Sequence, residues 1–258
     1  MKNRMGFIPS LFTILNLFCG FMSIIYSDSL NFEKASLFIL YAGLFDMFDG
    51  VVARFTGTSS KFGVELDSLA DLVSFGVAPS FILYKIYFFS LDGFGIALSA
   101  LIMIFGAIRL ARFNAQLVGF DKSYFSGVPV PIPAVTVSSF VLYYYNRNFN
   151  AHTSEIFIYC IAIILPLLMV SKFKYDTTPK VNKRELKEHP VKSVIVVLSV
   201  ILIAVTKGEG LFAFCLFYIS TGIFRSTKNQ IRKFFFGKKL RVDDPEEAEE
   251  NLKFKESN

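Results

Sequence analysis

Continuous apolar stretches, separated by short polar connections, run along most of this 258-residue chain. Most are about 20 residues long, the length that an α-helix needs to cross the hydrocarbon core of a bilayer. They do not alternate between apolar and polar residues as the strands of a membrane barrel do, so helices are the structure that satisfies their backbone in lipid. The pattern predicts eight transmembrane helices, at residues 7–26, 32–54, 64–89, 95–116, 128–145, 154–171, 191–206 and 209–225.

The C-terminal part of this pattern has a second interpretation. The last two segments are near the lower length limit for a span, about 17 residues, and an alternative is a re-entrant pair joined at residues 207–210. Beyond them the sequence is basic and then acidic, with few apolar residues. We therefore expect residues 1–225 to form one transmembrane domain and residues 226–258 to be a disordered cytoplasmic tail.

Composition indicates a membrane location, and charge indicates an orientation. Hydrophobic residues make up 53% of the chain and the mean hydropathy is +0.50, which is too apolar for an ordinary soluble domain. With the N-terminus in the cytoplasm, most basic residues fall on the cytoplasmic side, and those on the other side are Lys34, Lys85, Arg147 and Lys207. This asymmetry predicts that both termini lie on the cytoplasmic side of the inner membrane. Contact with anionic lipid accounts for the net charge of +6 without a nucleic-acid partner.

Four aspartates lie within or beside the second and third apolar stretches. Asp46 and Asp49 are three residues apart, and Asp67 and Asp71 are four apart, so each pair lies on one face of its helix. Burying carboxylates at membrane depth costs a few kcal/mol each, which indicates a functional site. If the two helices face each other, the four carboxylates meet and need cations to offset their repulsion. Oxygen ligands favour magnesium, calcium or manganese, so we predict a divalent metal site.

Small and basic residues follow the first aspartate pair. Gly50 and Ala53 form a small-residue strip that brings either a neighbouring helix or a flat ligand close to the backbone. Arg54 closes the helix, either as an anchor at the membrane surface or as a phosphate ligand through its planar fork. The adjacent carboxylates favour the ligand-binding interpretation of both features.

The chain resembles the CDP-alcohol phosphotransferases at every defining position of their signature. Members of this family are membrane-embedded helical dimers that displace CMP from a CDP-linked lipid or alcohol with an acceptor hydroxyl. The resemblance implies a six-helix core with the aspartates on its second and third helices. The matching residues are Asp46-x-x-Asp49-Gly50-x-x-Ala53-Arg54 and, eight residues later, Gly63-x-x-x-Asp67-x-x-x-Asp71.

Further segments resemble the serine phosphatidyltransferase branch of that family. They are IPSLFTILNLFCGFMSI, KFGVELDSLADLVSFGVAPS, IRLARFN and GVPVPIPA, and the resemblance covers residues 7–175 approximately. It implies CDP-diacylglycerol and L-serine as substrates, CMP as a product and a homodimer as the assembly. The last two helices and the tail depart from the branch, so no role is carried over to them.

The resemblance also implies roles for particular residues. The four aspartates would hold two divalent cations, Mg or Mn with Ca as an alternative, and Asp71 would also accept the serine proton. Polar Thr13 and Asn16 on the first helix are candidates either for nucleotide binding or for an interhelical hydrogen bond. The residues expected to bind the CDP-lipid are Thr13, Asn16, Gly50, Ala53, Arg54 and Gly63.

The acceptor pocket requires a cationic donor for the serine carboxylate. Arg109 and Arg112 lie three apart at the same membrane end as the aspartates, and they serve either as this donor pair or as topology anchors. We expect them to bind the carboxylate. Asn114, Ser68 and Ser74 are weaker candidates, because Ser and Asn within spans often bond to neighbouring helices.

Two alternatives remain at this stage. The same signature serves transferases that take glycerol phosphate, inositol phosphate or choline as acceptor. A bundle lined by aspartates is also compatible with a divalent-cation transporter, whose ion site lies in the membrane interior. The spacing of the glycines and the Ala53-Arg54 pair favour the enzyme.

Overall fold

The structure, a computed structural model, describes residues 7–56, 61–116, 124–171, 173–176 and 201–236. Within these ranges the chain is almost entirely helical, as predicted. Two π-helical segments, Leu72–Val77 and Tyr144–Asn148, and one 3-10 turn, Phe88–Leu91, interrupt or extend the α-helices. The helices are α1 Phe7–Asp28, α2 Phe32–Thr56, α3 Lys61–Asp71, α4 Ala78–Ile86, α5 Asp92–Gln116, α6 Pro131–Tyr143, α7 Ala151–Val170 and α8 Gly210–Phe236.

Six of the described helical stretches are long and apolar enough to cross a membrane. They correspond to α1, α2, the continuous stretch Lys61–Ile86, α5 with the turn before it, α7 and α8. The predicted span at 128–145 is the short α6 followed by its π segment. Of the predicted span at 191–206, only residues after 200 are described, and 201–205 are helical. The all-helical membrane class is confirmed, whereas the count of eight stays a prediction.

The third membrane span is not a regular α-helix. It consists of α3, the π segment Leu72–Val77 and α4. Pro79 in the first turn of α4 has no N–H to donate to the carbonyl four residues earlier, and its ring crowds that carbonyl. A π turn just before the proline accommodates this loss, and the Ala78 N–H bonds to the carbonyl of Val73 instead.

The α1–α2 hairpin holds the first aspartate pair beside the N-terminal helix. Leu30 takes a left-handed conformation (φ 58°) in the tight connection, and the Asn31 side chain accepts a hydrogen bond from the Lys34 N–H at 3.1 Å. This bond caps the start of α2. The two helices then pack along their length, and Thr13 of α1 contacts Asp49 of α2.

Aromatic packing fixes α8 against the rest of the bundle. The Phe212 ring lies 5.6 Å from the Phe140 ring on α6 and 5.9 Å from the Phe157 ring on α7, between centroids. Aromatic pairs at these separations add to the stability of a buried cluster. The described part of α8 continues beyond residue 225, the predicted end of the span, to Phe236, and so into the segment predicted to be disordered.

A small antiparallel ribbon was not predicted. Strand β1, Tyr124–Ser126, pairs with β2, Lys174–Asp176, and Phe125 is opposite Tyr175. It pairs the residues just before α6 with those just after α7. At the other end of the bundle, Lys85 pairs with Asp28 at 2.8 Å and Arg147 pairs with Glu33.

Candidate active site

Helices α2 and α3 bring the predicted carboxylates together at one end of the bundle. Asp46, Asp67 and Asp71 each offer an oxygen within 4.8 Å of the others. Asp49 lies one turn along α2 from Asp46 and is only 8% exposed. Asp49 and Asp71 are buried, whereas Asp46 and Asp67 are half-buried, so the cluster is partly enclosed by the helices and open on one side.

Electrostatic repulsion makes this arrangement costly for the protein alone. Asp71 interacts with each of Asp46, Asp67 and Asp49. At a separation near 5 Å and an effective dielectric constant of about 20, two unit charges repel by about 3 kcal/mol. The donors that the described residues bring together here are all hard carboxylate oxygens, held within the helical packing, with no nitrogen or sulfur ligand among them. This is the donor set that Mg²⁺, Mn²⁺ or Ca²⁺ prefers. The residues present therefore fit a divalent cation site.

Two polar residues of α1 bond directly to this cluster. Thr13 Oγ1 donates a short hydrogen bond to Asp49 Oδ2, and Asn16 Nδ2 donates to Asp71 Oδ1 at 3.0 Å. Both are almost fully buried. Of the two roles that the sequence left open for them, these contacts favour the interhelical hydrogen bond.

The position of Gly50 agrees with the ligand-binding interpretation. Gly50 is exposed, and a Cβ atom added to it would meet no described residue within 4 Å, so none of the described helices requires a glycine there. Gly63 lies in the first turns of α3, on the partner helix of the motif. The backbone of α2 continues through Ala53 and Arg54, whose side chains lie outside the described part of the chain.

The two arginines of α5 differ in their surroundings. Arg109 is 7% exposed and interacts electrostatically with Asp71, with Arg112 and with Tyr218 of α8. Arg112 donates from Nη1 to the carbonyl of Val170 at the end of α7, at 3.3 Å. Burial of Arg109 favours a role in the site over a topology anchor alone, because a guanidinium that only anchors the helix extends into the headgroups.

The weaker acceptor candidates make interhelical contacts. Asn114 Nδ2 on α5 donates to Ser68 Oγ on α3 at 3.0 Å and also approaches Glu65 Oε2 at 3.4 Å. Ser74 Oγ donates to the backbone carbonyl of Asn16 at 2.8 Å. Ser68 and Ser74 thus tie the third span to α5 and α1, respectively.

The sequence interpretation missed the π segment that follows Asp71 directly. This segment brings Ser74 against α1 so closely that a Cβ atom at Gly20 would lie 2.7 Å from the Ser74 Cα atom. The available signal was Pro79, since an in-helix proline disturbs the turn before it. π turns are frequent at functional sites, so a π segment directly after Asp71 supports a functional role for the cluster.

Comparison with known proteins agrees with this geometry. Residues 6–170 match the family described as CDP-alcohol phosphatidyltransferase, and the protein belongs to that family. It is therefore an integral, multi-pass membrane protein of a phospholipid-synthesising class. The family assignment favours the enzyme over the transporter alternative.

Three relatives illustrate the likeness. A CDP-diacylglycerol–serine O-phosphatidyltransferase of Helicobacter pylori is 40% identical over 223 residues, which is 86% of this chain and 92% of the relative. The archaetidylserine synthase of Methanothermobacter thermautotrophicus is 39% identical over 170 residues, 65% of this chain and 69% of the relative. A CDP-diacylglycerol–serine O-phosphatidyltransferase of Bacillus subtilis is 39% identical over 127 residues, 49% of this chain and 71% of the relative.

Proposed function

We propose that the protein transfers the phosphatidyl group of CDP-diacylglycerol to the hydroxyl of L-serine, giving phosphatidylserine and CMP. The observation that carries this proposal is the convergence of carboxylates from α2 and α3 in a partly buried cluster. The names of the Helicobacter and Bacillus relatives state this transfer, and the first of them is similar over most of both chains.

The cluster is proposed to hold two divalent cations, Mg²⁺ or Mn²⁺, with Ca²⁺ as an alternative. Asp46, Asp67 and Asp71 would supply the converging oxygens, and Asp49 the fourth carboxylate. When bound, the cations offset the charge of the diphosphate and of CMP as it leaves. The protein's part is to keep four carboxylates close together in a partly buried site.

Asp71 is proposed as the general base. Its Oδ1 accepts the hydrogen bond from Asn16, so we assign Oδ2 to the serine proton. As the proton moves to this oxygen, the serine oxygen bonds to the phosphorus that bears the diacylglycerol. The phosphorus–oxygen bond to CMP breaks, and CMP leaves with the bonding electrons.

The CDP-lipid is proposed to lie against α2 and α3. The open space over Gly50 accommodates the cytidine and ribose beside the backbone, and Gly63 gives the same access from the facing helix. We assign Ala53 to this small-residue surface and Arg54 to the diphosphate, which its planar fork binds through two hydrogen bonds.

Arg109 and Arg112 are proposed to bind the serine carboxylate. The buried Arg109 lies within electrostatic reach of Asp71, so a carboxylate bound there brings the serine hydroxyl towards the proposed base. Arg112, one turn further along α5, supplies the second cation. Each guanidinium offers the planar fork of two hydrogen bonds that a carboxylate accepts.

We place the site and both termini on the cytoplasmic side of the inner membrane. The distribution of basic residues along the sequence supports this orientation. A homodimer is proposed because members of the family are dimers.

The experiment that tests the proposal is an acceptor panel. Purified protein in detergent micelles receives CDP-diacylglycerol, Mn²⁺ and one of serine, glycerol 3-phosphate, inositol 1-phosphate or choline, and lipid products are identified by mass spectrometry. We expect phosphatidylserine from serine and no comparable product from the others. A higher kcat/KM for another acceptor would refute serine as the substrate.

A further inference from the structure

Helix α1 supplies one hydrogen-bond donor to each of the two aspartate pairs. Thr13 bonds to Asp49 of α2, and Asn16 bonds to Asp71 of α3. The two donors are three residues apart and so lie on one face of α1, which is also the face that contacts the third span at Gly20.

We propose that Thr13 and Asn16 are positioning residues that fix the orientation of the Asp49 and Asp71 carboxylates towards the bound cations and the acceptor. This inference rests on the proposed function of the cluster. We name Thr13, Asn16 and Gly20 the α1 brace. Ligating carboxylates are commonly oriented by a hydrogen bond to a neighbouring side chain, and loss of such a partner lowers metal affinity or activity about 10- to 100-fold.

The chemistry of each bond fixes its direction. An ionised carboxylate only accepts hydrogen bonds, so Asn16 turns its Nδ2 towards Asp71 and the hydroxyl of Thr13 points to Asp49. Each bond fills one acceptor site of its carboxylate. The remaining lone pairs of both oxygens are left for the cations and, at Asp71, for the serine proton.

The brace is itself held rigid by the π segment. The backbone carbonyl of Asn16 accepts a hydrogen bond from Ser74 Oγ, three residues after Asp71. A Cβ atom at Gly20 would lie 2.4 Å from Ser74 Oγ, so only glycine permits this approach of α1. The π segment, which follows Asp71 directly, is therefore bonded through Ser74 to Asn16, the residue that orients Asp71. A shift of this segment would also move Asn16.

The two bonds should affect different steps. Asp49 is assigned only to cation binding, so Thr13→Val, which keeps the shape and removes the donor, should weaken Mn²⁺ binding about tenfold. Thr13→Ser keeps the donor and should restore the affinity to within about threefold. Asn16→Leu leaves Asp71 without its orienting donor and should lower kcat at least about tenfold, with little change in the KM for CDP-diacylglycerol.

The test combines Mn²⁺ titration by electron paramagnetic resonance, without substrates, with steady-state kinetics. Ser27→Ala is the matched control. This buried hydroxyl lies on the same helix and, among the described residues, bonds to the Ser23 carbonyl of its own helix, at 2.8 Å. It should leave both readouts unchanged. If Thr13→Val does not fold, Thr13→Ala serves in its place, because the smaller side chain cannot overfill the site.

The inference would be overturned if the folded Thr13→Val or Thr13→Ala variant bound Mn²⁺ with wild-type affinity and Asn16→Leu kept a wild-type kcat. Failure of Thr13→Ser to restore binding would also overturn it, because the effect would then follow shape and not the hydrogen bond. Since Mn²⁺ binding is measured without substrates, a wild-type protein that binds Mn²⁺ but makes no phosphatidylserine would refute the proposed function separately.

Discussion

Adding one methyl group at Gly50 should impair the binding of CDP-diacylglycerol without destabilising the fold. Among the residues that the structure describes, none lies within 4 Å of a Cβ atom placed at Gly50. Glycine in a helix interior is less favourable than alanine by about 0.8–1 kcal/mol, so Gly50→Ala should stabilise α2 slightly. The same methyl group would project into the space proposed for the cytidine and ribose.

The magnitude follows from the cost of overpacking. A methyl group forced into a filled contact costs about 1–3 kcal/mol, and a tenfold change in binding corresponds to about 1.4 kcal/mol. Gly50→Ala should therefore raise the KM for CDP-diacylglycerol about 5- to 150-fold, while the KM for serine changes little. Thermal unfolding in detergent micelles, followed alongside the kinetics, should show no loss of stability.

Gly43 provides the matched control on the same helix, two turns before Gly50. Its added Cβ atom would lie 4.0 Å from the Phe75 ring, an ordinary contact, and would gain the same helix propensity. Gly43→Ala should leave both KM values unchanged. Wild-type kinetics in Gly50→Ala would refute close approach of the nucleotide to α2. A change in the size of the purified particle, with unchanged KM, would instead assign Gly50 to contact between two copies of the protein.

The remaining predictions concern the charged residues of the site. Asp46→Asn and Asp67→Asn each remove one anionic ligand. Each should lower kcat at least about 100-fold and weaken Mn²⁺ binding, while thermal unfolding stays unchanged. Near wild-type turnover at limiting metal would contradict the ligand assignment. Arg54→Lys should raise the KM for CDP-diacylglycerol and Arg112→Lys that for serine, because lysine keeps the charge but loses the bidentate fork. Asp71→Asn should lower kcat about 10²- to 10⁴-fold with CDP-diacylglycerol still binding, since an amide cannot take the serine proton; a raised KM with unchanged kcat would remove Asp71 from the base role.

The spans and the aspartate cluster could be predicted from the sequence because the bilayer makes both signals strong. Apolar runs of spanning length have few structural solutions in lipid, so α1, α2 and α5 lie where the pattern placed them. Carboxylates inside such runs stand out from their surroundings, and helical spacing alone puts Asp46 and Asp67 on usable faces.

The partners of polar residues could not be predicted in the same way. Thr13 and Asn16 were equally compatible with the nucleotide and with a neighbouring helix, because the sequence gives the type of group but not the rotation of one helix against another. The packing of α1 against α2 and α3 decides that these two residues bond to Asp49 and Asp71. Burial of Arg109 likewise depends on the docking of neighbouring helices against α5.

Irregular and short elements formed the other gap. The π segment Leu72–Val77 has the composition of an ordinary apolar helix, and only Pro79 hints at the disturbance. The ribbon of β1 and β2 joins strands of three residues that are far apart in sequence, too short for alternation to predict. The extent of α8 was underestimated because residues 225–233 are mostly polar, whereas the span prediction followed apolar residues alone.

The most direct test of the central claim is the dependence of CMP release on serine. Purified protein in micelles with Mn²⁺ and CDP-diacylglycerol is followed for CMP before and after serine is added, and phosphatidylserine is quantified in the same samples. Direct displacement at the aspartate cluster predicts no CMP before serine and one CMP for each phosphatidylserine afterwards. A stoichiometric burst of CMP without serine would indicate a covalent phosphatidyl-enzyme and contradict the single displacement, and absence of both products would contradict the proposed function itself.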